Sequence, residues 1–195
     1  MSRTAYFEKL YRQSDPFQYR SRWYEARKRA VVLACLPHER YAKAWELGCS
    51  NGVLTVQLAK RCDALLATDL SEEALASATA ANLGCPHVRL QQANHPTEWP
   101  DGRFDLIVVS EMAYYLTPYE LRCLAQRLKS SLDDGGVLLA CHWLHAFDQA
   151  LSTTAQVHHA LSAELDEVLT YRDADFLLQA WSSIPLSVAQ RERLR

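Results

Sequence analysis

The sequence predicts an α/β fold: a mostly parallel sheet with helices on both faces, closed by a C-terminal antiparallel hairpin. Three observations predict it. Short apolar runs alternate with capped, helix-like segments from about residue 43 to 163, the order that joins parallel strands through helical crossovers. The segment FDLIVVS, Phe104–Ser110, is apolar almost throughout, as expected of a strand covered on both faces. Near the end, Val168–Arg172 and Phe176–Ser182 flank Asp173-Ala174-Asp175, a hairpin pattern.

Each element follows from local chemistry. Residues 5–12 and 20–36 read as helices, separated by the breaker Ser14-Asp15-Pro16. Lys43–Leu47 is a strand ending at Gly48. Val53–Cys62 is helical, with Val53, Val56, Leu58 and Ala59 turned inward. Ala64–Thr68 is the second strand. Ser71 caps the next helix, and Glu72 and Glu73 sit in its first turn, where the helix dipole favours acids. Gly84-Cys85-Pro86 ends it. His87–Gln91 is the third strand, and Trp99-Pro100-Asp101-Gly102 a turn. Thr117-Pro118 opens a helix to about Ser130, with proline at its first position. Asp134-Gly135-Gly136 reads as a turn before a fifth strand, Val137–Trp143, and a helix follows near Thr154–Ala163.

Composition narrows the class. The chain has 195 residues, is 49% hydrophobic and 23% charged, which suits one domain with a substantial core. The expected division is an N-terminal helical lid (1–40), a ligand-binding core (41–145) and a closing helix, hairpin and tail (146–195). No run of 18 apolar residues occurs, and the N-terminus has no apolar signal core, so a cytoplasmic location with no membrane partner is expected. The net charge of −2 gives no support to nucleic-acid binding. It hides an asymmetry: nine Lys/Arg against four Asp/Glu in residues 1–40, and twelve against nineteen in the rest. The six cysteines form no C-x-x-C pair and read as reduced and mostly buried. The histidine pairs lack partners at zinc spacing, so no metal is expected.

In a sheet of this kind ligands bind beyond the carboxyl ends of the strands. The first strand runs into Glu46-Leu47-Gly48-Cys49-Ser50-Asn51-Gly52. Gly48 permits a sharp turn and Gly52 a close approach at the helix start. The nicotinamide-type G-x-G-x-x-G is absent, since Ser50 fills its second glycine slot, and no Gly-Lys-Ser/Thr marks a P-loop. Asp69 ends the second strand, 23 residues after Glu46. An acid there caps a helix or accepts both hydroxyls of a ribose.

Four ordered motifs carry a family resemblance: E-L-G-C-S-N-G, T-D-L-S, W-P-D-G-R-F-D-L-I-V-V-S-E-M-A-Y-Y-L and L-D-D-G-G-V-L-L. Over residues 40–145 the chain resembles the class I S-adenosylmethionine-dependent methyltransferases. More narrowly it resembles the nodulation protein S branch, which N-methylates an amino sugar, through G-C-S-x-G-V-L-T, S-E-x-x-Y-Y-L and an upstream D-P-F…Y-E segment. The resemblance implies a three-layer Rossmann-like fold with a seven-stranded sheet and S-adenosyl-L-methionine as cofactor. It assigns Glu46 and the Gly48, Cys49, Ser50 and Gly52 backbone to the methionine part of the cofactor. Asp69 goes to the ribose, Leu70 and Asn94 to the adenine, and Ser110 to the cofactor side of the fourth strand's end.

Glu111 follows that strand, where the resemblance places the transferring methyl group. An amine acceptor arrives largely as ammonium, and a carboxylate can bind the cation and then take its proton. Glu111 is therefore the first candidate base, with a structural acid as the alternative. His142, at the end of the fifth strand, is the rival base or a hydrogen-bonded wall residue. Tyr114, Tyr115 and Trp143 stack on a small-molecule acceptor or belong to the core. In the N-terminal arm, Tyr24 is a candidate to close over the cofactor and Arg20 to pair with its carboxylate. Methyl transfer to an amine such as an amino sugar leads; O-methylation and cofactor binding without catalysis stay open.

Overall fold

The computed structural model describes residues 2–194. A seven-stranded sheet in the order β3-β2-β1-β4-β5-β7-β6 forms its centre. Two helices, α1 (Arg3–Tyr11) and α2 (Trp23–Ala34), precede it. β1 (Tyr41–Leu47), β2 (Cys62–Asp69), β3 (Val88–Gln92), β4 (Phe104–Ser110) and β5 (Leu132–Trp143) run parallel. α3 (Val53–Ala59), α4 (Glu72–Ala81) and α5 (Pro118–Ser131) connect them. α6 (Thr154–Ser162) leads to the antiparallel pair β6 (Asp166–Arg172) and β7 (Phe176–Ser182), and a short α7 (Val188–Arg191) follows. The predicted class and all seven strands are present, in a Rossmann-like arrangement.

The apolar run of β4 has a direct cause. Ile107 and Val109 enter one core with Trp45, Leu124 and Leu128. Leu106 and Val108 enter the other with Val32, Leu58 and Leu178. Alternate side chains point to opposite sheet faces, and both faces are covered.

Several boundaries differ from expectation. Asp134-Gly135-Gly136 is not a turn, because β5 begins at Leu132 and carries the segment within it. The register jumps from Phe104↔Leu132 to Leu106↔Val137, so the extra residues form a bulge, with Gly135 at φ +73°. α3 stops at Ala59, and Cys62 joins β2 opposite Tyr41. Its buried face is Thr55, Leu58 and Ala59, whereas Val53 and Val56 are half-buried. α2 starts at Trp23, not residue 20, and α4 closes on Asn82, ahead of Gly84. The caps read from sequence are formed: Ser71 accepts from Ala74 N–H, and Thr117 makes a capping box with Glu120.

Gly52 shows what the glycine loop does for packing. Its φ is +76°, and a Cβ there would lie 2.8 Å from Ala78 Cα and 2.9 Å from Ala78 Cβ. Backbone strain and a clash with α4 therefore act together. Gly52→Ala is expected to destabilise the fold by about 2–4 kcal/mol; an unchanged urea midpoint would refute this packing role.

No helix among the described residues is long and apolar enough to cross a membrane. All six cysteines are unpaired, with Cys49, Cys62 and Cys141 buried.

Candidate functional site

A cavity of about 480 Å³ opens at the carboxyl ends of the parallel strands, within the size range of small-molecule sites. Gly48 and Ser50 line it from the loop after β1, Asp69 and Leu70 from the end of β2, and Asn94 from beyond β3. Ser110 and Glu111 line it from the end of β4, with Tyr114, Tyr115 and Trp143 from the following segments and Tyr24 from α2. Most residues singled out in the sequence therefore meet in one space.

The loop after β1 is held by its own backbone. Gly48 N–H and Cys49 N–H both donate to Thr68 C=O, at 2.8 and 2.9 Å. Ser50 adopts φ +52°, and its N–H donates to Asp69 Oδ2 at 2.9 Å. Ser71 N–H donates to Asp69 Oδ1 at 3.0 Å. Burial raises the Asp69 carboxyl, and these backbone N–H groups oppose the rise. Beside the loop, a hollow of about 50 Å³ is lined by Glu46, Cys49 and Asn51. Burial pushes Glu46 up to about 8, although the Thr55 hydroxyl donates to its Oε2 at 2.6 Å. Asn51 Oδ1 is buried without a partner.

Two helices cover these strand ends. α1 lays Phe7 and Tyr11 against Leu70, Ala74 and Tyr115. Tyr11 OH donates to Ser50 Oγ at 2.7 Å. Arg3 donates to Asn94 Oδ1 at 3.0 Å and to Tyr115 C=O at 3.2 Å. α2 is tied to the terminal hairpin: Arg27 reaches Asp173 at 2.7 Å and Tyr171 OH at 2.6 Å. Tyr24 packs edge-on against Trp143 and Phe176.

That docking delivers Lys28 to Glu111. Lys28 Nζ lies 3.0 Å from Glu111 Oε1 and 3.0 Å from Glu25 Oε2, all three side chains largely buried. Glu111 Oε2 accepts from Tyr114 OH and, at 3.3 Å, from Trp143 N–H. Glu111 itself sits at φ +56°. A non-glycine residue in the left-handed region is strained, and such strain persists where surrounding contacts over-determine it.

Arg20 and Gly52 stand away from the cavity wall, and His142 lies where the hydrogen-bonded wall residue of the sequence reading would. His142 is fully buried and is not among the cavity-lining residues. Its Nε2 accepts from Ala113 N–H at 3.3 Å, and its Nδ1 faces His158 Nε2 at 3.1 Å. Both ring nitrogens are thus engaged within the protein, and burial drives its pKa well below the usual value. Arg20 is exposed and stands off the cavity, while Arg22 lines it; the break at Asp15–Pro16 and the later helix start turn the arm. Gly52 does not line the cavity, and its N–H donates to Cys49 C=O at 3.0 Å; the close approach it permits is to α4. In the sequence Lys28 is one of the nine cations of residues 1–40 and Glu25 closes the D-P-F…Y-E segment with no role attached, while Arg3 and Tyr11 carry no signal. The only local signal is the Glu25/Lys28 spacing on one helix face.

Two buried rings give the fold a pH dependence. His95 and His158 are each pushed down to about 4 by burial, from an ordinary 6.5. For these two rings the unfolded chain binds the proton first, so their contribution is full above about 6.5 and is lost as pH drops toward 4; the raised Glu46 carboxyl acts in the opposite sense between 4.5 and about 8. Each ring contributes about 3 kcal/mol to that loss. Between pH 6.5 and 4 wild type should lose more melting temperature than His158→Gln does; superimposable profiles would refute the assignment.

A methyltransferase-domain family model matches residues 44–136. A solved structure from Pseudomonas syringae, described as a methyltransferase, is 42% identical, with a TM-score of 0.74, and the alignment covers 83% of this chain and 99% of that one. The N-methyltransferase NodS of Bradyrhizobium japonicum WM9, solved with S-adenosyl-L-homocysteine, aligns with a TM-score of 0.84 at 23% identity, over 92% of this chain and 98% of that one. Nodulation protein S of Rhizobium tropici is 31% identical over 128 residues, 64% of this chain and 53% of that protein; the chain spans about half the length of this curated relative. With the sheet order and the strand-end cavity, these likenesses place the chain in the family of class I S-adenosylmethionine-dependent methyltransferases.

Proposed function

We propose that this protein transfers a methyl group from S-adenosylmethionine to an amine nitrogen of a small acceptor, such as an amino sugar, with Glu111 as proton acceptor. The observation that carries the reading is the Glu111 carboxylate. It shares the cavity with Gly48, Ser50 and Asp69, and Lys28, Tyr114 and Trp143 N–H aim its oxygens.

The residues present fit the cofactor. Asp69 offers two oxygens, each engaged by one loop or cap N–H, with further lone pairs for ribose hydroxyls. The unpartnered Asn51 Oδ1 and the Glu46 carboxyl suit the ammonium of the methionine part. Leu70 and Asn94 frame the adenine end, and residues 1–40 serve as the lid. When bound, the cofactor supplies an activated methyl group on a sulfonium centre, which a free lone pair accepts.

The protein's own task is to deliver that lone pair. An ammonium acceptor meets Glu111, gives up its proton to the carboxylate and becomes nucleophilic. Tyr114, Tyr115 and Trp143 exclude water and hold the acceptor's apolar faces. His142 acts behind the wall, fixing the Ala113 N–H that leads into Tyr114.

A radiolabelled methyl-transfer assay over amino sugars, simple amines, hydroxyl compounds and carboxylic acids tests the reading. Label is expected on nitrogen; label only on oxygen would overturn it.

A further inference from the structure

Lys28 occupies an unusual place. The residue is 5% exposed; its ammonium lies between two carboxylates at 3.0 Å, and sits 5.1 Å from the Tyr24 ring centroid and 6.0 Å from that of Tyr19. Carboxylates and aromatic faces are what a protein uses to hold an ammonium ion. The protein has thus built a cation site and placed one of its own cations in it. Two carboxylates face this one ammonium in a desolvated wall; burial raises the Glu25 carboxyl, and Lys28 and the more distant Arg29 oppose the rise. The Tyr24 hydroxyl, in the same wall, is buried without a partner.

We propose that Glu25, Lys28 and Glu111 form an acceptor subsite for a single ammonium head, in which Lys28 and Glu25 are positioning residues. This rests on the reading of Glu111 as proton acceptor. Lys28 holds Glu111 Oε1, and the second carboxylate attracts one further cation. When the acceptor's proton moves to Glu111, the acceptor becomes neutral, Glu111 becomes neutral, and Lys28 stays paired with Glu25. The total charge is unchanged, and no buried ion is left alone. Without Glu25 the same transfer would strand the Lys28 ammonium in a low-dielectric wall, which opposes it. Glu25 is thus what makes proton uptake by Glu111 compatible with a buried lysine beside it.

The probe is cyclohexylammonium chloride, with cyclohexanol as its neutral counterpart, titrated calorimetrically at pH 8.5 into protein saturated with S-adenosylhomocysteine. Wild type is expected to bind the ammonium and not the alcohol. Glu25→Gln removes the second carboxylate and should weaken ammonium binding at least tenfold. Lys28→Met keeps the bulk, frees the second carboxylate and should tighten binding several-fold. This opposite sign is the signature, since a merely structural role would weaken binding in both variants. Unchanged homocysteine-ligand affinity and circular dichroism establish that each variant is folded, and Lys28→Gln replaces Lys28→Met if that variant is not. Equal binding of amine and alcohol, no ammonium binding by wild type, or losses in both variants would overturn the subsite. Ammonium binding in the expected order without nitrogen methylation of any amine would leave the subsite standing and remove the N-methylation reading instead.

Discussion

Asp69→Asn is expected to raise the dissociation constant for S-adenosylhomocysteine about a hundredfold. The carboxylate is the buried acid at the end of β2 that faces the cavity. A hydrogen bond to a charged acceptor contributes about 1.5–3 kcal/mol, and two ribose hydroxyls would share this one. Asparagine is the better test than alanine. Asp69 also takes the Ser50 and Ser71 N–H groups, so a truncation would loosen the loop and the α4 cap together. The amide keeps the volume and one acceptor oxygen, and turns the other position into a donor. Calorimetry measures the affinity, and urea unfolding shows whether the fold is intact. An affinity within threefold of wild type would remove Asp69 from the ribose site.

Glu111→Gln is expected to lower turnover by about 10²–10⁴-fold, the range that positioned general bases supply, with cofactor affinity nearly unchanged. The amide occupies the same space and accepts a hydrogen bond, but it takes no proton. Lys28 keeps its bridge to Glu25 in this variant, so no buried charge is abandoned and the fold should tolerate the change. Single-turnover methyl transfer to the amine that proves active separates the chemical step from product release. A wild-type rate in that assay would move the proton acceptor elsewhere. His142 is poorly suited to inherit the role, because Ala113 N–H and His158 engage its two ring nitrogens.

Some of this site was legible in the chain because its signals are local. The turn at Gly48, the acid ending β2 and the acid after β4 each follow from a strand that stops and a loop that must begin. Strand ends of a parallel sheet converge at one edge, so listing those ends nearly lists the cavity wall. The bulge of β5 was not legible: Asp134-Gly135-Gly136 has turn composition, and only pairing with β4 keeps it extended. The covering helices were legible as helices but not as covers. Arg3 reaches Asn94 across 91 residues of sequence, and no periodicity encodes that reach.

The sequence by itself determined the fold class, the strand-end loops and the identity of the acids placed there, because periodicity, capping and turn chemistry act over a few residues. Tertiary structure alone decided which charges meet. Lys28 and Glu111 are 83 positions apart, and only the docking of α2 through Arg27 and Tyr24 makes them neighbours. Burial then set the surroundings of each group: it holds His142 off the cavity wall and leaves one ammonium shared between Glu25 and Glu111. Desolvation is a property of the assembled surroundings, which no stretch of sequence carries by itself.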